Sequence, residues 1–401
     1  MPRARSLAAG GAAAEALREL FLLDPDVVFL NHGSFGACPR RVFEAYQRYQ
    51  LELERQPVDF LARDRRYPAL IDDARTRLGD YVGAEAGDLV FVPNATTGLN
   101  AAARSLALEP GDEVLAPVGE YGAVDMLWRY VCGRARAHYV TRPVPLGAGP
   151  EEALETLWAG VTPRTRVVVA SHVSCFTGAV LPVEELCRRA REHGLLSIVD
   201  GAHAPGQIPL DLEAVGADVY AGNCHKWLCA PKGSAFLYVR PERQELIEPL
   251  IVSWDWEEET GFAARQRWEG TRDPAAWLAV PDAIDFQAEH DWDGVRARCH
   301  DLALQAWARI AELLGVPPAT PDSFVQMVAV ALPPCDPWAV QRLLFDEHRI
   351  EVLGQRLAET PLLRISFQAY NDAGDLEALV SALAEIFGSL HTGRGGAITT
   401  G

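Results

Sequence analysis

The chain has 401 residues and a formal net charge of −18; 49% of its residues are hydrophobic and 23% charged. Such a composition belongs to a globular enzyme of one large or two moderate domains, and the acidic balance argues against a nucleic-acid partner, which would call for clustered Lys and Arg. The eight cysteines are scattered, with no Cys-x-x-Cys pair and no His/Cys spacing suited to zinc, so reduced thiols in a cytoplasmic protein are expected rather than a disulfide scaffold or a metal site. No apolar run nears the roughly 18 to 20 residues needed to cross a bilayer, and the first residues lack the apolar core of a signal peptide.

Residues 12–23 read as a short helix leading to an apolar strand, Val27-Val28-Phe29-Leu30. Asn31-His32-Gly33-Ser34-Phe35-Gly36 reads as a loop, and 39–82 as an amphipathic helical stretch broken near Pro57. From about 89 to 239, short apolar runs alternate with helical patterns; the clearest strands are 89–92, 113–116, 167–171, 196–199, 219–221 and 235–239. A helix over 183–193 places Leu186, Cys187 and Ala190 on one face. This alternation predicts a mostly parallel sheet covered on both faces, with ligands beyond the carboxyl ends of its strands. Residues 275–315 read as a helical connection. The remainder reads as a smaller α+β unit with strands at 325–332, 350–353 and 363–367 and helices at 337–347 and 373–387. The Gly- and Thr-rich tail, 391–401, is expected to be disordered.

Two charged residues 26 positions apart carry the chemistry. Asp200 ends the strand Ser197-Ile198-Val199, and Lys226 follows the strand Val219-Tyr220-Ala221. Charges at the ends of neighbouring core strands are costly unless a ligand uses both. Pyridoxal phosphate (PLP) would do so: its ring nitrogen needs an anion and its aldehyde a lysine amine. A third element supports it. Strand 89–92 runs through Pro93-Asn94-Ala95-Thr96-Thr97-Gly98 into an Ala-rich helix. Free amides at that N-terminus, with the threonine hydroxyls, form a cup for a phosphate. Taken singly, each feature has a plainer reading: Asn94 as a helix cap, Asp200 as another, Lys226 as a surface lysine, and His203, His225 and Asn223 as turn residues.

Together with Leu30-Asn31-His32-Gly33-Ser34-Phe35-Gly36, Asp200-Gly201-Ala202-His203-Ala204-Pro205-Gly206, Gly222-Asn223-Cys224-His225-Lys226-Trp227-Leu228 and Trp268-Glu269-Gly270-Thr271-Arg272-Asp273, these stretches resemble the class V aminotransferase family of PLP fold type I, in its isopenicillin N epimerase-like branch. The resemblance covers about residues 20–388. It implies a mostly parallel seven-stranded α/β sheet in a large PLP-binding domain, 45–285, and a smaller α+β domain from 1–44 and 286–390. It implies an enzyme that acts at Cα of an amino acid or aminoacyl compound through an external aldimine.

Position by position, it implies that Lys226 binds the cofactor and moves the Cα proton. Asp200 holds the pyridinium, and His203 touches the phenolate side. Ala95, Thr96, Thr97, Asn223 and His225 surround the phosphate. Tyr121 stacks on the ring, and Ser174 faces its edge. Thr271 reaches the cofactor of a partner subunit in a homodimer. Arg364 clamps the substrate carboxylate, a task suited to a guanidinium fork, with Asn31, His32 and Phe176 nearby. Without the family, Arg364 reads as a surface residue on an edge strand. The loop Ser174-Cys175-Phe176 departs from the branch by a thiol and a bulky ring, so the epimerase's substrate is not inherited. Epimerisation needs an acid opposite Lys226; His32, Tyr121 and Cys175 are candidates. Elimination with C–S cleavage, transamination and decarboxylative deamination stay open as alternatives. Persulfide chemistry would need an exposed cysteine loop, for which only Cys335 offers a weak candidate.

Overall fold

The computed structural model describes residues 9–256, 261–316 and 325–391. The apolar runs become strands because both of their faces are covered. The first eight strands are β1 Val28–Phe29, β2 Leu89–Val92, β3 Glu113–Pro117, β4 His138–Arg142, β5 Thr165–Ser171, β6 Leu196–Gly201, β7 Val219–Asn223 and β8 Ala235–Val239. Seven of them form one sheet in the order β2-β8-β7-β6-β5-β3-β4. It is parallel from β7 to β4, while β8 runs antiparallel to both of its neighbours.

Side chains alternate between the two faces of each strand. Val90, Val114, Val169, Ile198, Val219 and Leu237 pack toward the helices Ala95–Ser105 and Gly122–Ala135. Phe91, Val199, Tyr220 and Phe236 join a larger core with the helices Arg66–Val82, Val280–Glu289 and Trp292–Leu314. The sequence does not reveal β4, since His138, Tyr139, Thr141 and Arg142 on this edge strand are not buried.

A second sheet is built from β9 Met327–Ala331, β11 Leu353–Leu357 and β12 Thr360–Ser366 in the antiparallel order β11-β12-β9. The short β10 Ile350–Glu351 pairs instead with β1, in parallel. The strand expected over 350–353 is thus divided at Val352. The segment expected as a loop after β1 contains one helical turn, His32–Phe35. The last helix, Ala373–His391, takes in the first residue of the expected disordered tail; the rest of that tail lies outside the described residues.

The chain order sets where a ligand can sit. From β3 the chain moves outward to β4, then crosses back to β5 and on to β6 and β7. The carboxyl ends of β3 and β5 therefore border a point where the winding reverses, the usual ligand crevice of an open α/β sheet.

Candidate active site

Lys226 lies in the turn that joins β7 to β8, partly buried. Its Nζ is 2.9 Å from Nε2 of His203. The indole N–H of Trp227 donates to Nδ1 of the same histidine at 3.1 Å. An indole can only donate, so Nδ1 carries the lone pair and, in the neutral ring, Nε2 carries the proton. His203 is neutral: burial, and then the charge of Lys226, lower its pKa well below the ordinary value. Its Nε2–H therefore points at the amine as a donor, an arrangement that favours the unprotonated, nucleophilic form of Lys226 over the ammonium. Burial first, then Arg364, lower the lysine's pKa to about 8. The close fit needs glycine at 206: φ is +87°, and a Cβ there would sit 2.3 Å from the carbonyl of Trp227.

Asp200 is the penultimate residue of β6, between Ser171 of β5 and Ala221 of β7. Its Oδ1 accepts from the Ala202 amide at 2.9 Å. Burial raises its pKa, opposed by that hydrogen bond and by Lys226. At the phosphate cup, Asn94 caps the helix Ala95–Ser105, accepting from the amide and hydroxyl of Thr97 at 2.9 and 3.1 Å. Asn223 Oδ1 accepts from the Ala95 amide at 2.9 Å. Among the described residues, neither the amide nor the hydroxyl of Thr96 has a hydrogen-bond partner. His225 donates from Nδ1 to the Ser234 carbonyl at 2.9 Å, and burial lowers its pKa to about 4.

Arg364 lies on β12, the central strand of the small sheet and not an edge, and is 4% exposed. Nη1 donates to the Cys175 carbonyl at 2.6 Å; Nη2 donates to Ser34 Oγ at 2.8 Å and to Asn31 Oδ1 at 3.3 Å. Among the described residues it has no carboxylate partner, and its Nε has no partner at all. Burial lowers its pKa to about 10. A buried cation facing only neutral groups is costly, and an incoming anion relieves that cost. The neighbouring loop is fastened to the same sheet by Gln355, which donates to the Phe176 carbonyl at 2.6 Å. Ser174 Oγ accepts from the amides of Phe176 and Thr177, both at 3.3 Å, which shapes the turn.

Not every expected residue faces this space. His32 is 0% exposed, with Nε2 donating to the Lys226 carbonyl at 3.0 Å and Nδ1 accepting from the Tyr370 hydroxyl at 2.9 Å. It braces the lysine's backbone, with both ring nitrogens engaged. Tyr121 begins the helix Gly122–Ala135 with its ring 48% exposed. Thr271 is exposed beside Gly270, whose φ is +110°. Sequence reasoning missed Trp227, Ser34 and Tyr370, whose contacts are tertiary. It also missed Glu120, which is 2% exposed and holds the Ser171 amide and hydroxyl at 2.9 and 2.6 Å. Only its position beside Tyr121 could have drawn notice.

A model of the class V aminotransferases matches residues 28–379. The chain belongs to this family, and it is a PLP-dependent enzyme of fold type I. Among relatives, it is 39% identical to isopenicillin N epimerase of Streptomyces clavuligerus, over 93% of this chain and 98% of that protein. It is 32% identical to putative L-cysteine desulfhydrase 1 of Oryza sativa subsp. japonica, over 94% and 86%. A solved complex of a cystine C–S lyase with cysteine persulfide shares the fold with a TM-score of 0.79 at 23% identity, covering 90% of this chain and 98% of that one. No described helix is long and apolar enough to cross a membrane.

The residues present fit PLP. An amine whose pKa is lowered, a buried carboxylate at the end of the adjacent strand and an unused donor pair at Thr96 are the three functions the cofactor requires.

Proposed function

We propose that the enzyme inverts the configuration at Cα of an amino-acid-derived substrate, as an isopenicillin N epimerase-like PLP enzyme of secondary metabolism. The observation that carries this is the combination of Lys226, its pKa lowered and its amine met by His203, which Trp227 orients, with Arg364, a buried cation that has no carboxylate partner among the described residues. Bound PLP supplies an electron sink for the charge left at Cα. Lys226 would hold it through the amine, Asp200 at the ring nitrogen, and Thr96 and Asn223 at the phosphate. His203 and Ser174 would lie at its edge and Tyr121 over its face. Arg364, with Asn31 beside it, takes the substrate carboxylate and so orients the Cα–H bond toward the lysine. Lys226 removes that proton. Of the acids considered for the opposite face, His32 has both nitrogens engaged, which leaves Tyr121 and Cys175.

The second reading is C–S or β-elimination, supported by the desulfhydrase relative. Persulfide chemistry has less support, because Cys335 is buried. The deciding experiment follows the loaded enzyme with candidate amino acids in D2O. Deuterium at Cα with inversion and no keto acid supports epimerisation; pyruvate and ammonia from a cysteine conjugate would replace it with the lyase.

We assign the protein to the cytoplasm as a homodimer in which Thr271 approaches the partner's cofactor. Support for the dimer comes from exposed Ile251, Val252 and Trp254, an apolar run that a lone subunit would leave in water. Our division into domains is 45–285 for the large one and 1–44 with 286–390 for the small one, whose two pieces are joined through the β1–β10 pairing. A monomer at full cofactor occupancy would remove the role given to Thr271.

A further inference from the structure

A cavity of about 260 Å³ opens beside the cofactor-binding residues, and neither Lys226, Asp200, His203 nor Arg364 lines it. It is many times larger than a single water requires. Its floor is the segment after β3, including Val118 and Glu120, and the segment from Ser171 to Leu181 after β5. These are the strand ends where the winding of the sheet reverses. Its far wall is the small sheet, with Val328, Leu357 and Leu362.

The cavity starts where the reacting groups end. Ser171, on its wall, is the strand partner of Asp200. Ala329, also on its wall, is the strand partner of Arg364. Leu362 lies two residues before Arg364 on the same face of β12. A substrate whose carboxylate reaches Arg364 thus has this space next to it. Resting on the reading of Lys226 and Arg364 given above, we infer that the cavity receives the substrate's side chain and suits an extended, uncharged, apolar one.

The charge of the walls supports that class. Glu120 is the one ionisable residue among those lining the cavity. Both of its oxygens accept from Ser171, and burial, then the charge of Asp200 after the opposing Ser171 hydroxyl, lifts its pKa to about 7. An acidic side chain would lose its hydration here with no cation to meet it. An apolar chain gains with each methylene buried.

The test uses the cofactor-loaded protein and the change in its visible absorbance on binding L-alanine, L-norleucine and L-glutamate. L-norleucine is expected to bind at least about tenfold more tightly than L-alanine, and L-glutamate no more tightly. Ala331→Phe, which fills the cavity from the small sheet, is expected to erase the norleucine advantage and leave alanine binding unchanged. Val118→Phe fills it from the opposite wall, at a position already 37% exposed, and is expected to do the same. Equal binding of alanine and norleucine, or an advantage that survives both fillings, overturns the inference. A protein that never acquires the visible band overturns the cofactor reading beneath it, so the two failures are told apart.

Discussion

On the lysine side of the site, each polar group has a partner that sets its state: Trp227 orients His203, His203 donates to Lys226, and His32 grips the lysine's carbonyl. On the arginine side, a buried guanidinium meets a carbonyl, a hydroxyl and an amide oxygen, and one of its nitrogens meets nothing. The first arrangement is finished before any ligand arrives. The second becomes balanced only when an anion enters. Preorganisation is thus spent on the group that must react, and an unmet charge is kept for the group that must recognise.

Five substitutions would break or sharpen this contrast. Lys226→Ala should abolish the visible band of the loaded enzyme and reduce turnover by at least about a thousandfold; a band that persists would show that another amine holds the cofactor. Arg364→Lys should leave the band intact while weakening amino-acid binding by roughly a hundredfold, since an ammonium cannot reproduce the fork. Titrating both cofactor and amino acid separates the two halves, and equal losses would deny that they are separate.

Trp227→Phe should have a smaller effect, roughly fivefold on the rate of cofactor loading, with a diagnostic pH profile. Without the indole donor, His203 can turn its lone pair toward Lys226 and accept from the ammonium. The apparent pKa for loading, expected near 8 in the natural protein, should then rise. An unchanged midpoint would remove the tautomer argument.

The smallest effect belongs to the brace. Tyr370→Phe leaves Nδ1 of His32 buried without a donor and should cost about 1 kcal/mol in urea unfolding. The pH dependence of that brace has a definite sign. Burial lowers the pKa of His32 to about 3 from 6.5, so between those values the unfolded chain binds more protons. This contribution is complete above about 6.5 and is lost as the pH falls toward 3. His32→Asn should flatten the acid limb of the stability curve.

The cofactor half was the more legible from sequence, for a physical reason. Asp200 and Lys226 stand at the ends of apolar runs within one stretch of parallel sheet, where local pattern predicts burial. Arg364 lies 138 positions beyond Lys226. Its burial depends on β12 being flanked by β11 and β9, which strand pattern alone did not give. The edge strand β4 was missed because its polar side chains carry no alternation to detect. The motif of His32 fixes its proximity to the lysine but not which side of it the ring occupies. Glu120 and Trp227 act through one neighbour each, and such pairings emerge only once the strands are in register.

The position of Arg364 on a separate sheet has a practical consequence. Colour in a purified preparation reports that the lysine end has been loaded, and it is silent about the arginine end. A deep yellow sample can therefore be blind to its substrate, and a library screened by hue would keep such clones. Conversely, β12 can be redrawn to accept other acids while the chromophore stays the same, which makes it the place to begin if the enzyme is to be retargeted.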